Sequence, residues 1–427
     1  MGMTTMTKKM RGRYREAALG PIPDDWGVSN LEKVTDCLDH LRVPLNESQR
    51  SKRRGDIPYC GANGVLDYID DYVVDDDIIL IAEDGGYFDE YRTRPIAYRM
   101  RGKCWVNNHA HILKAKRGTD QEFLFYSLVH KNLLPFIASG TRAKLNKFEM
   151  YRVQIAIPRN EEEQAAIGDV LADMDGLISA LDGLIAKKHE IKTATMQEVL
   201  TGKKRLTGWA SKPGYKQTEV GMIPRDWDLA ALGSLVDQTR NIRYGIVQPG
   251  TYDANGRYMI RGQDYSEVNG WARPDELFRV RPQIEERYRK ARVRAGDLIM
   301  TIVGYCGHVE VVPDWLDGAN ITQTTARIAI DPAKAVSTYC KYALQGSMGK
   351  SQVALYLKGA AQPGLNIRDV EVFRVALPPT RTEQEAIAAV LSGMDAEIAA
   401  LEARRRKTVT LKEGVMQQLL TGKIRLV

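Results

Sequence analysis

The sequence predicts an α/β (mixed α+β) tandem repeat: two globular domains joined by two long helices that pair as an antiparallel coiled coil. Three observations lead there. The chain has 427 residues, enough for two or three domains that each bury a core. The opening Gly20-Pro21-Ile22-Pro23-Asp24-Asp25-Trp26 recurs as Gly221-Met222-Ile223-Pro224-Arg225-Asp226-Trp227, displaced by 201 positions. The stretch from Ala156 to Leu206 recurs from Ala376 to Leu426 at a displacement of 220, with 23 of its 51 residues identical, far above chance.

Residues 1–157 form the first domain. Within it Asp77-Ile78-Ile79-Leu80-Ile81 reads as a buried strand, and Gln121–Leu134 as one amphipathic helix. Residues 158–206 form the first long helix. Asn160 and Glu163 have the spacing of a capping box. Ile167, Leu171, Met174, Ile178, Leu181 and Ile185 then alternate steps of four and three, a coiled-coil period. Gly202 stands where a C′ residue stops a helix. Roughly 42 residues at about 1.5 Å each make a rod about 60 Å long.

Residues 207–377 hold a linker and the second domain. The difference between the two displacements places about 19 extra residues between Trp227 and Asp297. Asp297–Ile302 repeats the buried strand, and Thr338–Met348 reads as one helix. Residues 378–427 repeat the long helix, with Thr380 and Glu383 at its start, Ile387, Leu391, Met394, Ile398 and Leu401 along its seam, and Gly422 at its end. Equal lengths and matching seams predict that the two rods pair with each other. Trp26 and Trp227 follow proline turns at matching places and are expected in the domain cores.

The net charge of +7 and a pI near 9.0 permit a polyanionic partner without requiring one. Basic residues cluster from Arg279 to Arg294, with seven Arg or Lys against two Glu, and again at Arg50–Arg54 and at Arg92, Arg94, Arg99, Arg101 and Lys103. One cluster in each repeat suits contact with a phosphate backbone, although a charge run is more often a solvated face. No apolar run approaches the roughly 20 residues that span a bilayer, and no secretory signal is visible. The five cysteines are scattered, which points to reduced thiols and a cytoplasmic location.

Catalytic signatures are missing. No Gly-rich cofactor loop of a methyltransferase surrounds Gly85-Gly86 or Gly304-Tyr305-Cys306-Gly307, and no Asn/Asp-Pro-Pro-aromatic tetrapeptide occurs. Gly346–Ser351 ends like a phosphate loop, but Leu344 occupies the place of its first glycine. Glu190-Ile191-Lys192 has nuclease-like spacing yet falls on the long helix, where a surface ion pair is the simpler reading. His109 and His111 alternate on a strand and could share a face as metal ligands, but with no third ligand nearby in the sequence a hydrogen-bonding or base-contacting role is the simpler reading. The expectation is no catalytic residue, no metal and no cofactor in this chain.

The paired Gly-x-Ile-Pro-x-Asp-Trp openings, the paired Pro…Glu-Gln…Ile helix starts and the paired Leu-Thr-Gly-Lys helix ends (Leu200–Lys203, Leu420–Lys423) resemble the specificity subunits of type I restriction–modification systems. The resemblance covers nearly the whole chain, and Gly55–Gly64 and Trp105–His111 are similar to segments common in such target-recognition domains. It implies two target-recognition domains, each reading one half of a bipartite, asymmetric double-stranded DNA site, with the helical spacer setting the gap. It also implies two docked modification (methyltransferase) subunits that bring S-adenosylmethionine, and two restriction subunits that bring ATP and Mg for translocation and cleavage. The alternatives are an autonomous DNA methyltransferase or nuclease with an unrecognised site, and a coiled-coil scaffold that binds only proteins.

Base readout needs amide, guanidinium, ammonium or carboxylate groups on loops that reach the grooves. In the first domain Asn107, Asn108, His109, Arg142 and Lys144 lie in such polar stretches. In the second, Arg243, Tyr244, Arg261, Gln263, Gln323 and Gln362 do, while Arg289, Lys290 and Arg292 suit phosphates, which position without specifying. Arg404-Arg405-Arg406-Lys407 interrupts the second apolar seam and reads as a solvated helix face, with a partner or DNA-backbone contact as the alternative.

Overall fold

The run Ile78-Ile79-Leu80-Ile81-Ala82 breaks the alternation of a half-buried strand because both of its faces are covered: Ile79 and Ile81 join one core cluster, Ile78 and Leu80 another. In the computed structural model, residues 14–137, 143–209, 214–266, 270–359 and 363–426 are described. They divide into two units. The first runs to Asp182 and resumes at Ala403; the second is Gly183–Glu402.

In unit 1 the strands are β1 (Trp26–Asn30), β2 (Thr35–Cys37), β3 (Arg54–Gly61), β4 (Gly64–Ile69), β5 (Val74–Ala82), β6 (Ala97–Val106) and β7 (Ala110–Ala115). Helices α1 (Gln121–Val129) and α2 (Lys147–Arg152) follow, then β8 (Gln154–Pro158). Six strands form one sheet in the order β2-β7-β5-β6-β3-β4, with β3 parallel to β6. β1 and β8 pair antiparallel, Trp26 facing Pro158 in register. Leu124 and Leu128 of α1 and Val153 and Ile155 near β8 close over Ile79, Ile81 and Leu113. The helix expected over Gln121–Leu134 ends at Val129. Asn132 Oδ1 accepts from Leu134 N (3.1 Å) and Pro135 follows, so the chain turns there instead of continuing.

The long helix α3 (Glu161–Leu200) begins in unit 1 and ends in unit 2. Unit 2 holds β9 (Asp228–Ala231), β10 (Arg243–Tyr244), β11 (Arg257–Ile260), β12 (Phe278–Val280), β13 (Leu298–Thr301), β14 (Val309–Val311), β15 (Asn320–Ile321) and β16 (Thr325–Ile328). After these come α4 (Ser337–Gln345), α5 (Ser347–Tyr356), α6 (Ile367–Glu371) and β17 (Arg374–Leu377). Two smaller sheets, β10-β16-β13-β14 and β12-β11-β15, replace the six-stranded one, and β9 pairs with β17 as β1 does with β8. The helix expected over Thr338–Met348 is two helices, broken at Gly346, whose backbone is extended. The phosphate-loop lookalike is this junction. Gly349 packs there against the backbone of Leu344, where a side chain would collide.

The second long helix, α7 (Arg381–Leu419), begins in unit 2 and ends in unit 1. Within each unit the two long helices run antiparallel. In unit 1 Asp175 meets Lys412 (2.6 Å) and Asp182 meets Arg405; in unit 2 Lys188 meets Glu397 (2.6 Å) and Lys192 meets Asp395 (2.5 Å). Lys192 is thus taken up in an ion pair between the helices, with its side chain largely covered instead of on the surface. Ile167, Leu171 and Leu181 are buried on α3, and Ile387, Leu391 and Ile398 on α7.

Both helix starts depart from the capping box. Asn160 Oδ1 accepts from Glu162 N (2.9 Å) and Thr380 Oγ1 from Glu383 N (3.3 Å), so the caps themselves form. The N3 glutamates turn elsewhere. In unit 2 Arg205 donates to Glu383 (2.5 and 2.6 Å) and to Asp226 (3.0 Å), with its guanidinium 5.7 Å from the ring centre of buried Trp227. In unit 1 Arg425 does the same with Glu163 (2.7 Å), Asp25 (2.7 Å) and buried Trp26. Tyr215 OH donates to Gly202 O (3.3 Å) and Tyr14 OH to Gly422 O (2.9 Å) beside these clamps. Both glycines take positive φ, as a C′ residue does.

Candidate nucleic-acid interface

In unit 1 the turns that leave β3, β5 and β6 gather at one end of the sheet. Glu83 N donates to His109 O (2.8 Å), Leu145 N to Glu83 O (2.7 Å), and Asn63 Nδ2 to Gly85 O (2.9 Å). Four of the five residues singled out here are therefore neighbours. Asn108 is exposed. His109 is half-exposed, with Nδ1 2.6 Å from Asp84 Oδ1. Lys144 is exposed and reaches Glu83 (2.9 Å). Asn107 is buried, and its Oδ1 accepts from His109 N (2.8 Å), so it shapes the turn from within. Arg142 lies outside the described residues.

The two histidines do not share a site. His111 is buried beneath this end, with Nδ1 2.7 Å from Asp39 Oδ2 and Nε2 2.8 Å from Leu145 O. Glu83 stands 3.8 Å away, and Arg42 pairs with both Asp39 (3.3 Å) and Glu83. Cys37, Asp39 and His111 are the one group of potential metal ligands found among the described residues, with donor atoms within 4.8 Å of one another. Both imidazole nitrogens already face hydrogen-bond acceptors. Burial presses the imidazole toward neutrality, but hydrogen bonds to Asp39 and Cys37 and the charge of Asp39 outweigh it and lift its pKa to about 9.

A raised histidine pKa stabilises the fold fully below the unfolded value of about 6.5, and that contribution disappears as pH climbs through the folded value. Wild-type protein is accordingly expected to lose on the order of 2–3 kcal/mol between pH 6 and pH 10 from this group. Denaturant unfolding followed across that range, with His111→Gln beside the wild type, checks it: the variant should lack this component of the slope. Parallel curves would show that the imidazole is neutral in the fold.

Unit 2 builds an end of the same kind from different residues. The segments after β10, β11 and β15 are tied by Gly245 N to Thr322 O (3.1 Å), Gln323 N to Ile246 O (2.9 Å) and Thr322 N to Ile260 O (3.1 Å). Gly245 is required here, since any Cβ would strike the carbonyl of Ile321. Ile302 N donates to Thr324 O and Gly304 N to Pro363 O, which brings the turn after β13 into the group. Tyr244, Gln263 and Gln323 are exposed at this end, and Arg243 is exposed on β10 just before it. Arg261 forms a two-pronged pair with Asp264 (2.7 and 3.1 Å). Gln362 lies outside the described residues.

The three residues expected at phosphates stand elsewhere, on the short segment Glu286–Ala291 and after it. Arg292 donates to Glu285 (2.7 and 2.6 Å) and Glu286 (2.7 Å), so its charge is matched within the fold. Arg289 and Lys290 are exposed, Arg289 near Glu286 at 3.5 Å. Buried Arg327 donates to the carbonyls of Lys290 (2.6 Å) and Asn241 (2.9 Å), which fixes this segment beside the start of β10. The basic clusters of unit 1 are also largely matched: Arg50 meets Asp67, Arg53 meets Asp70 and Asp71, and Arg99 and Arg101 meet Glu122.

Sequence reasoning passed over two features. The Arg205 and Arg425 clamps were visible as a repeated Arg three residues after each helix-stopping glycine. Tyr305, almost wholly exposed at the unit 2 end, carried no signal beyond a Gly-flanked turn.

The profile described as "Type I restriction modification DNA specificity domain" matches residues 23–192 and 224–411, one copy in each repeat. The chain is 24% identical over 444 aligned positions to a putative type I restriction enzyme MjaX specificity subunit of Methanocaldococcus jannaschii, spanning 96% of each. It is 36% identical over 128 residues to a putative specificity subunit of Haemophilus influenzae, a match covering 30% of this chain and 32% of that one. The fold is like that of a type I restriction–modification S subunit from M. genitalium, with a TM-score of 0.60 at 12% identity over 92% of this chain and 96% of the other. No helix among the described residues is long and apolar enough to cross a membrane. Two repeats, each presenting a rigid loop end and each matched by that profile, place the chain in the type I restriction–modification DNA specificity family, as a specificity subunit with two target-recognition domains.

Proposed function

We propose that unit 1 and unit 2 each read one half of a bipartite, asymmetric site in double-stranded DNA, through Asn108, His109 and Lys144 in unit 1 and through Tyr244, Gln263 and Gln323 in unit 2. The observation that carries this is the contrast between frame and ends. The two frames repeat the same elements and the same Arg-Glu-Asp-Trp clamp, whereas the exposed side chains on the two loop ends differ in kind. Equal frames with unequal ends suit two different half-sites held on one scaffold. Lys290 and Arg289 serve the phosphates, which position the domain without specifying sequence. Arg292, matched by Glu285 and Glu286, serves the fold instead.

On this reading the chain performs no reaction of its own. Two modification subunits dock on the alike helices and bring S-adenosylmethionine, and two restriction subunits bring ATP and Mg. The chain passes between its units inside α3 and α7, the helical spacer that sets the gap between the half-sites. The test is methylation mapping of DNA from cells with and without the gene, followed by exchange of residues 219–375 for another such domain. A bipartite adenine-methylation motif should depend on the gene, and the exchange should change one half-site and spare the other. A motif whose halves both change, or neither, would refute the assignment of one half-site to each unit.

A further inference from the structure

Tyr305 is 96% exposed, more than any other large apolar or aromatic residue described. Its turn is held on both sides. Gly307 N donates to Thr301 O (2.8 Å), His308 N to Thr301 Oγ1 (3.0 Å), Cys306 N to Gly304 O (3.0 Å), and Thr301 Oγ1 to Tyr305 O. Gly304 and Gly307 both take positive φ, and a side chain at Gly307 would run into Val353. Cys306 Sγ and Gly304 N both reach Pro363 O, at 3.5 and 2.9 Å. The backbone is therefore pinned while the ring stands in solvent, an arrangement from which the fold gains no burial.

A rigid aromatic has only two side-chain torsions to lose on contact, so it offers large apolar area at small entropic cost. Backbone hydrogen bonds put this tip next to the segment carrying Gln323, through Ile302 N and Thr324 O (2.8 Å). Among the described residues unit 1 has no counterpart at this turn. Gly85-Gly86 occupies its matching turn, and the ring of the following Tyr87 is covered by the Arg94 guanidinium at 3.5 Å. The difference lies at the tip of the loop end and not in the frame.

We propose that Tyr305 is a specificity-determining residue of unit 2: its ring enters the DNA groove and packs on base edges within the half-site which that unit reads. This rests on the DNA-reading function proposed above. The ring supplies the apolar contact, as with a thymine methyl, and Gln323 and Tyr244 supply the polar ones.

The test uses the full chain assembled with its modification subunit and a duplex bearing the motif found by methylation mapping. Tyr305→Ala should bind that duplex on the order of tenfold more weakly, a loss of the size that one mismatched base pair brings to a specific site. It should also relax the motif in one half-site, leaving the other half-site and the melting temperature unchanged. Tyr305→Phe should keep most of the affinity. Wild-type affinity and an unchanged motif for Tyr305→Ala would overturn the proposal with the reading of function intact. If the wild-type complex failed to distinguish the motif from unrelated duplex, that reading would fall, and the role of the ring with it.

Discussion

Arg205→Ala is expected to destabilise unit 2 by about 3–5 kcal/mol, because it strands two buried carboxylates. Glu383 is 1% exposed and the Asp226 side chain 7%, and Arg205 is the cation shared between them. Their attraction in this dry setting offsets the cost of removing them from water only while the guanidinium fork is present. The guanidinium also packs on the Trp227 ring, so truncation removes contact area as well as charge. Arg205→Lys keeps the charge but not the fork and should fall between the two. Because the chain has two units, a single unfolding midpoint is not the right readout. Hydrogen exchange at the start of α7 and around Trp227 reports the local stability directly. A loss below about 1 kcal/mol would mean that the trio behaves like an exposed surface pair.

Trp26→Ala should cost unit 1 a similar amount, about 3–5 kcal/mol, through the cavity it leaves. Trp26 is fully buried, meets Phe123 edge-on at 6.4 Å between ring centres, and donates from Nε1 to Glu163 (3.3 Å). Its loss opens a void beside Gly422 and removes one donor from Glu163. The repeat supplies an internal control. In unit 2 the Trp227 Nε1 has no hydrogen-bond partner among the described residues, so Trp227→Ala forfeits packing alone. It should therefore cost about 1 kcal/mol less. Chemical denaturation followed by exchange at Pro23–Gly27 and at Pro224–Asp228 gives the comparison. Equal losses would show that the Trp26 hydrogen bond contributes nothing net.

Periodicity and repetition carried most of the fold. The apolar faces of the long helices, the helix-stopping glycines and the buried central strands were legible because each depends on neighbours in sequence: Ile167 and Leu171, which pack with Trp26 and Phe123, on helical spacing, and Gly202 on its own φ. The N3 glutamates were misread for the opposite reason. Glu163 has the spacing of a capping box, but its partner Arg425 is 262 residues away, and local pattern says nothing of such a group. The single helix expected over Thr338–Met348 failed at Gly346, where close approach to Leu200 and its own preceding turn favours an extended glycine. At the loop ends, polar residues such as Asn108, Gln263 and Gln323 are exposed, as composition alone suggests. Asn107 was not, because an asparagine can serve its own turn equally well. Matching of charge is also a tertiary matter: nothing in the run from Arg279 to Arg294 tells that Arg292 is engaged by two glutamates while Lys290 remains exposed.

The clamp in unit 1 joins residues near both ends of the sequence, with Tyr14 donating to Gly422 across 408 positions and Arg425 reaching Asp25 across 400. Unit 2 is one uninterrupted stretch, Gly183–Glu402. During synthesis on the ribosome the order of completion is thus reversed relative to the order of emergence. The sheet of unit 1 emerges first, but its tryptophan pocket stays open until the last turn of α7 has left the exit tunnel. Unit 2 can close some 20 residues earlier. The newly made first domain waits with Trp26 and Ile167 uncovered, so the nascent chain is open to chaperones and to misassociation over that interval. A truncation near position 403 would release a protein with all the residues of its second domain and an unfinished first.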